Sequence, residues 1–414
     1  MFKFIFAFII VFIFTWANKN KKGSWFTPSG FLLFIYLFSI GLSLIHIPIN
    51  DVPFVLQDKY WMPMFIMLVF LIAFLYPFIF YNESVIRQIK LPNLNVLNIV
   101  SSIIIILSFY SIVYYLPTVV MVFSSSDLAF MRDNRYISGE YVETGIFNTI
   151  ASVSASLYWF AILLFFIYII IGGHKNRCKL LFISSISNII HVLTFVGRDG
   201  VVTWIFSFIF LYLFFRDFLQ QESRNKFKKY AIIFGSIAIL PFIMISASRF
   251  KGSVIKDLLS YYAQGFPNGC LYFGIDDIPK NIGSGFPLFY EFTGLQLPES
   301  YRWDEGGTQS WVFGTFVKSL YSSLGSQGLI LVCIFALIIF IIIMGKGNYT
   351  LSFSKIFIYM LYFQILSQGV FYFMQYTRGG NLFIILCFAF YFIFKSINND
   401  CIVITKSQNL NLAK

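Results

Sequence analysis

Charge is scarce in this chain. Aspartate, glutamate, lysine and arginine make up 12% of its 414 residues, about half the share found in an ordinary soluble domain. With 58% of residues hydrophobic, most of the folded surface has to be solvated by lipid, which excludes a water-soluble globular protein. Histidine is scarcer still, occurring as His46, His174 and His191 alone. The cysteines, Cys178, Cys270, Cys333, Cys387 and Cys401, form no CxxC pair, so neither a disulfide framework nor a metal cluster is expected. There is no GxSxG elbow, no HExxH pair, no Walker loop, no GxGxxG after a strand and no DxD motif. Those absences remove the usual signatures of serine hydrolases, zinc hydrolases and nucleotide-binding folds. No cofactor is expected.

What is present is a series of apolar runs. A helix needs roughly 20 apolar residues to cross a bilayer core, because unpaired backbone polar groups are not tolerated in hydrocarbon. Eleven runs qualify, at 2–16, 30–49, 61–81, 96–123, 149–171, 180–197, 201–215, 230–248, 327–345, 356–377 and 381–396. They predict an all-α integral membrane protein of about eleven (10–12) transmembrane helices, organised as a single polytopic domain over 1–414. Lys3 precedes the first run, no small-residue cleavage site follows it, and Trp16 with Lys19, Lys21 and Lys22 closes it, so a retained helix is expected rather than a signal peptide.

The net charge of +12 falls in short clusters between the runs. Nucleic acid is therefore not expected as a partner, since that needs a basic patch on a folded surface. Membrane topology accounts for the clusters better. If 17–29 faces the cytoplasm, alternation assigns eighteen basic and four acidic residues to the inner segments, against twelve and fourteen outside. This agrees with the positive-inside rule and predicts a bacterial cytoplasmic-membrane protein with its N-terminus outside and its C-terminus in the cytoplasm.

Two outer segments are too long to be simple connectors: 124–148 and the late loop 249–327. Loops beyond about 15 residues are usually functional or disordered, and the aromatic density of the second argues against disorder. Most of the 54 Phe and 25 Tyr fit lipid-facing surfaces and interfacial belts. In the late loop, however, Tyr261, Tyr262, Phe266, Trp303 and Trp311 are interleaved with Asp304, Glu305 and other acids. Aromatic faces beside carboxylates suit sugar rings, which stack their C–H faces and donate from their hydroxyls. A loop lying on the headgroup layer is the competing reading.

Polar residues inside apolar runs are costly and usually face a bundle interior or a cavity. Ser187, His191, Thr194 and Arg198 share one helical face by spacing, as do Gln364, Gln368, Gln375 and Arg378. His191, with Ser187 and Asn188 nearby, reads as a hydrogen-bonded structural histidine. By topology, Arg198, Arg249 and Arg378 all end ascending helices on the outer side. Guanidinium forks bind phosphate oxygens bidentately, so the three are candidate pyrophosphate ligands; snorkelling to lipid phosphates is the alternative.

The segments Phe195-Val196-Gly197-Arg198-Asp199-Gly200, Tyr261-Tyr262-Ala263-Gln264-Gly265-Phe266, Gly314-Thr315-Phe316 and Tyr376-Thr377-Arg378-Gly379, set around a large late outer loop, resemble the O-antigen and capsule repeat-unit polymerases of the Wzy type. The Arg-x10-Gly spacing that some members carry in periplasmic loops is absent from this late loop. The resemblance implies a GT-C-like membrane glycosyltransferase that polymerises undecaprenyl-pyrophosphate-linked oligosaccharide repeat units. Its implied partners are those lipid-linked glycans, membrane lipid and a chain-length regulator. In such an enzyme Arg198, Arg249 and Arg378 would hold pyrophosphate. Asp199, Asp304 or Glu305 would accept the proton of the attacking hydroxyl, and Tyr261, Tyr262 and Trp303 would stack on sugar. Two rivals stand beside it. A lipid-linked-oligosaccharide flippase would show related halves and short loops. An O-antigen ligase would carry a histidine in the late loop, and 249–327 has none.

Overall fold

The computed structural model of the chain describes residues 2–49, 60–125, 145–225, 261–273, 285–296, 313–397 and 402–406, with 304–305, 308–309 and a few single positions between. It opens with three long apolar helices, α1 (Phe2–Lys22), α2 (Pro28–Ile49) and α3 (Trp61–Phe80). Pro28 suits the first turn of α2, where a missing N–H breaks no helical bond. Lys19, Lys21 and Lys22 close α1 at the negative end of its dipole. Strand β1 (Gln88–Leu91) precedes α4 (Leu94–Phe123), whose start is capped by the Asn93 carboxamide accepting from the Val96 N–H at 2.9 Å.

Next come α5 (Ile146–Ser156) and α6 (Tyr158–Ile171), bent by 41° at Leu157. The Ser156 hydroxyl donates to the Val153 carbonyl at 2.6 Å, a back-bond of the kind that bends helices. Helices α7 (Lys175–Ser184), α8 (Ser187–Leu193) and α9 (Asp199–Phe215) follow. The late region contributes α10 (Gly265–Phe273), α11 (Pro287–Thr293) and a ribbon of β2 (Asp304–Glu305) with β3 (Thr308–Gln309). The chain then runs through α12 (Thr315–Met344), β4 (Thr350–Ser352), α13 (Phe353–Gln368), α14 (Arg378–Ser396) and β5 (Ile402–Thr405).

Among the described residues, seven helices are long and apolar enough to cross a membrane: α1, α2, α3, α4, α9, α12 and α14, or eight if the bent α5–α6 pair counts as one span. The apolar run 180–197 is divided between α7 and α8, and the run 356–377 is helical only as far as Gln368. The run 230–248 lies outside the described residues except for Ile245.

The chain divides into two compact units. Unit 1 comprises 1–86, 255–349 and 354–395; unit 2 comprises 87–254, 350–353 and 396–414. In unit 1, α1 packs on α2, and α3 packs on both α10 and α12. Phe78, Tyr81, Phe340 and Tyr359 form an aromatic core, with Phe78 and Tyr359 centroids 4.9 Å apart. Beside it lies a fully buried polar knot. Lys22 Nζ is 2.5 Å from the Glu83 carboxylate and donates to Ser29 Oγ at 2.6 Å and the Phe78 carbonyl at 2.7 Å. The Ser29 hydroxyl completes it by donating to Glu83 at 2.8 Å.

In unit 2, α4 packs on α5, α7 and α8, while α6 packs on α7 and α9. A small sheet of order β4-β1-β5 joins distant parts of the chain. Ile89 registers against Leu351 in the parallel pair and against Ile404 in the antiparallel pair. Lys406, just beyond β5, reaches Asp217 at 3.3 Å.

Candidate functional site

Unit 1 contains two interruptions of helical backbone, one inside α12 and one after α13. Helix α12 is broken at Gly325, whose φ of 69° only glycine adopts readily. Its first part, 315–324, therefore stands apart from the apolar stretch that follows. The chain after α13 leaves the helix at Gly369 and runs non-helically to α14, apart from one 3-10 turn at Met374–Tyr376. The Gly314 and Thr315 N–H groups donate to the Phe371 carbonyl at 3.1 and 3.0 Å, and the Phe316 N–H donates to the Gly369 carbonyl at 2.7 Å. The start of α12 and the break after α13 thus satisfy backbone groups of each other. Irregular backbone within apolar sequence persists only where protein or a water-filled cavity surrounds it, which makes such breaks strong markers of function.

Aromatic rings crowd this junction. Tyr261 lies 4.7 Å from Phe313 and 5.7 Å from Phe371, Tyr262 lies 5.4 Å from Phe371, and Phe313 stacks on Tyr372 at 5.6 Å. Tyr372 continues to Tyr376 at 6.0 Å. The tyrosines read from sequence as sugar platforms therefore belong to one cluster with the loop's end and the second break. Gly265 permits the approach of α10: a Cβ there would sit 2.6 Å from the Val370 carbonyl oxygen. On the same side, Lys318 is buried at 4% exposure. Its ammonium lies 5.1 Å over the Tyr272 ring, and its stem covers Gly314. The Tyr272 hydroxyl donates to Ser322 at 2.8 Å. Burial raises that phenol above its ordinary value, with the Ser322 bond pulling the other way.

The head of α14 carries the charged part of the site. Arg378 pairs with Glu291 of α11, and both side chains keep solvent access, at 74% and 42% exposure. Asn381 fixes α11 in place: its amide donates to the Gly285 and Gln375 carbonyls at 3.1 and 2.6 Å, and its oxygen accepts from the Leu288 N–H at 3.3 Å. Gln375 in turn donates to Gln368 at 2.9 Å. Thr377 acts as the cap, accepting from the Gly380 N–H at 3.1 Å. A Cβ at Gly380 would lie 2.8 Å from the Gln375 carbonyl carbon, whereas one at Gly379 meets nothing within 4 Å. Gly380→Ala is expected to lower the thermal stability of the purified protein by about 1–3 kcal/mol, and Gly379→Ala to leave it unchanged. Thermal unfolding of the two variants in detergent checks this contrast between neighbours.

Arg198 and Asp199 lie in unit 2, at the turn from α8 into α9. Arg198 is buried at 3% exposure, and Asp199 opens α9, where a carboxylate favours the helix dipole. Val196 takes a positive φ of 53° and packs with Val122, Leu193 and Ile245. Gly200 lets Val192 come close; a Cβ there would meet the Val192 Cβ at 2.8 Å. His191 lies between Tyr115, tilted against it at 4.7 Å, and Phe195, edge to face at 5.6 Å, while the Tyr115 hydroxyl donates to the Asn148 side chain at 2.7 Å.

Of the remaining sequence-derived candidates, Arg249 and Trp303 lie outside the described residues, and Asp304 and Glu305 are described only as the backbone of β2. Lys318, Glu291 and Asn381 were not singled out as site residues by sequence reasoning. The one available signal was the position of Lys318 just after Gly314-Thr315-Phe316. Among the described residues, no group of three or more His, Cys, Asp or Glu is placed to hold a metal ion. No protein-family model, no curated protein and no solved structure matches this chain.

Proposed function

We propose that this chain is a polytopic glycosyltransferase of the bacterial cytoplasmic membrane, GT-C-like and with about eleven spans. It would polymerise undecaprenyl-pyrophosphate-linked oligosaccharide repeat units into an O-antigen or capsular glycan on the outer face. The observation that supports it most is the junction in unit 1. There an exposed guanidinium beside a carboxylate sits at the head of a membrane-length helix, next to an aromatic cluster and the helix break after α13. In the reaction, an acceptor sugar hydroxyl bonds to the anomeric carbon of the donor glycan as the bond from that carbon to the pyrophosphate oxygen breaks. Undecaprenyl pyrophosphate leaves with the electron pair, and the hydroxyl proton passes to a carboxylate.

On this reading Arg378, together with Arg198 and Arg249, stabilises charge on the departing pyrophosphate, an electrostatic role that needs no metal. Asp199, Asp304 or Glu305 accepts the proton, and Tyr261, Tyr262 and Trp303 carry the sugars. The polyprenyl tails lie against lipid-facing helices, and a chain-length regulator is a further partner. The N-terminus is outside and the C-terminus cytoplasmic.

The two interrupted helices of unit 1 also favour a second reading, a carrier that flips the lipid-linked unit, because transporters bind substrate at discontinuous helices. Deleting the chain and sizing the surface glycan separates the two. Loss of a polymerase leaves a single exported repeat unit on the surface; loss of a flippase leaves none. Long polymer persisting in the deletion strain rejects both.

A further inference from the structure

A groove of about 790 Å³ opens on unit 2 between α4 and α7. One wall is apolar, made by Ile105 and Ile106 of α4 and Leu180 of α7; the other presents His174, Lys175 and Arg177, and among the described residues no acidic one lines it. Arg177 is held in place from behind. Its Nη1 donates to the Asn98 carbonyl at 2.7 Å and to Ser101 Oγ at 2.5 Å, and its guanidinium lies 5.6 Å over the Tyr168 ring. Tyr168 is itself anchored, donating to the Asn98 side chain at 2.8 Å. A cation positioned this way loses little side-chain freedom when it binds an anion, which favours affinity.

The depth of the groove suits one kind of anion. Helix α4 has 30 residues, about 45 Å at its rise per residue, against a hydrocarbon core of about 30 Å. If the helix is centred, roughly five residues project at each end, which puts Asn98 at the hydrocarbon boundary and Ser102 to Ile106 about 6–12 Å inside it. Lipid phosphates lie just outside that boundary, by the end of the groove where Arg177 bonds Asn98, and acyl chains run inside it at the level of Ile106. The apolar wall also continues outward: Ile99, Ile103 and Ile106 are 61%, 51% and 67% exposed, and Leu180 and Ile183 flank them. A soluble phosphate would gain nothing from that strip.

The geometry points to a binding site for an anionic membrane lipid, its headgroup phosphate against Lys175 and Arg177 and one acyl chain along Ile106 and Leu180. The site does not depend on the catalytic reading above, since it uses none of the residues of that mechanism.

Reconstituting the full chain with equal phosphatidylglycerol and phosphatidylcholine, then counting co-purified lipid by native mass spectrometry, tests it. The wild type is expected to retain phosphatidylglycerol over phosphatidylcholine. Lys175→Glu, an exposed substitution, and Ser102→Trp, which fills the groove, should each lower that retention about fivefold. Lys346→Glu, a basic residue of unit 1, should not change it, and excess inorganic phosphate should not displace the lipid. The proposal is overturned if the wild type shows no preference, or if both groove variants retain wild-type amounts. Displacement by inorganic phosphate would overturn it too, by marking a site for free anions.

Discussion

Arg378→Ala is expected to insert, fold and accumulate like the wild type while long polymer disappears from the surface glycan. The two halves of that expectation come from the same geometry. Arg378 and Glu291 form an ion pair that keeps solvent access on both partners, and exposed pairs contribute about 0–1 kcal/mol to stability. Removing the guanidinium therefore barely disturbs the fold, and Asn381 still anchors α11 through Gly285, Gln375 and Leu288. A donor aimed at charge that develops during the reaction is worth far more, about 10²–10³ in rate. Arg378→Lys should recover little of this, because an ammonium cannot make the planar two-point contact with phosphate oxygens. Glu291→Ala provides the internal contrast. If Glu291 only holds the arginine in the resting state, losing it should leave polymer length close to normal. A ladder of normal length from Arg378→Ala, with protein at wild-type abundance, would remove Arg378 from the chemistry.

The long apolar helices were legible because hydropathy is a property of consecutive residues, and α1 to α4, α9, the second part of α12 and α14 are continuous enough to express it. The helix breaks were not. The stretch after Gln368 reads Gly369-Val370-Phe371-Tyr372-Phe373, apolar enough to look like the end of a span. It leaves the helix because the start of α12 takes the Gly369 and Phe371 carbonyls, a bond between distant parts of the chain that no local pattern encodes. The glutamine stripe shows how an expectation can hold for another reason. Helical spacing placed Gln368 and Gln375 on one face; in the structure the helix has already ended, yet the returning chain brings Gln375 to within 2.9 Å of Gln368. The serine-histidine stripe fares differently, since α8 stops at Leu193 and Arg198 belongs to the turn beyond it. Lys318 was hidden because a lysine in a loop reads as solvated until packing shows what covers it.

Lys22 reverses that lesson, and from it follows the largest expected loss of stability. In sequence it is one of three lysines closing the first run, counted with the inner positive charges. In the structure its side chain has no solvent exposure, and Glu83 retains only 7%. Replacing Lys22 by Met leaves the Glu83 carboxylate buried with Ser29 as its remaining hydrogen-bond partner in the knot, and replacing Glu83 by Leu strands the ammonium instead. Breaking a buried pair from one side typically costs about 3–5 kcal/mol, so each single variant should lower the unfolding temperature steeply and reduce the yield of monodisperse protein. The pair itself need not be strongly stabilising, because both charges were taken out of water to form it. The double variant Lys22→Met with Glu83→Leu removes that cost together with the attraction, and should recover most of the loss. A double-mutant cycle in thermal unfolding reads the coupling directly. Strictly additive single effects would mean that the two side chains do not share their burial, and that the adjoining ends of α1, α2 and α3 are held together without this pair.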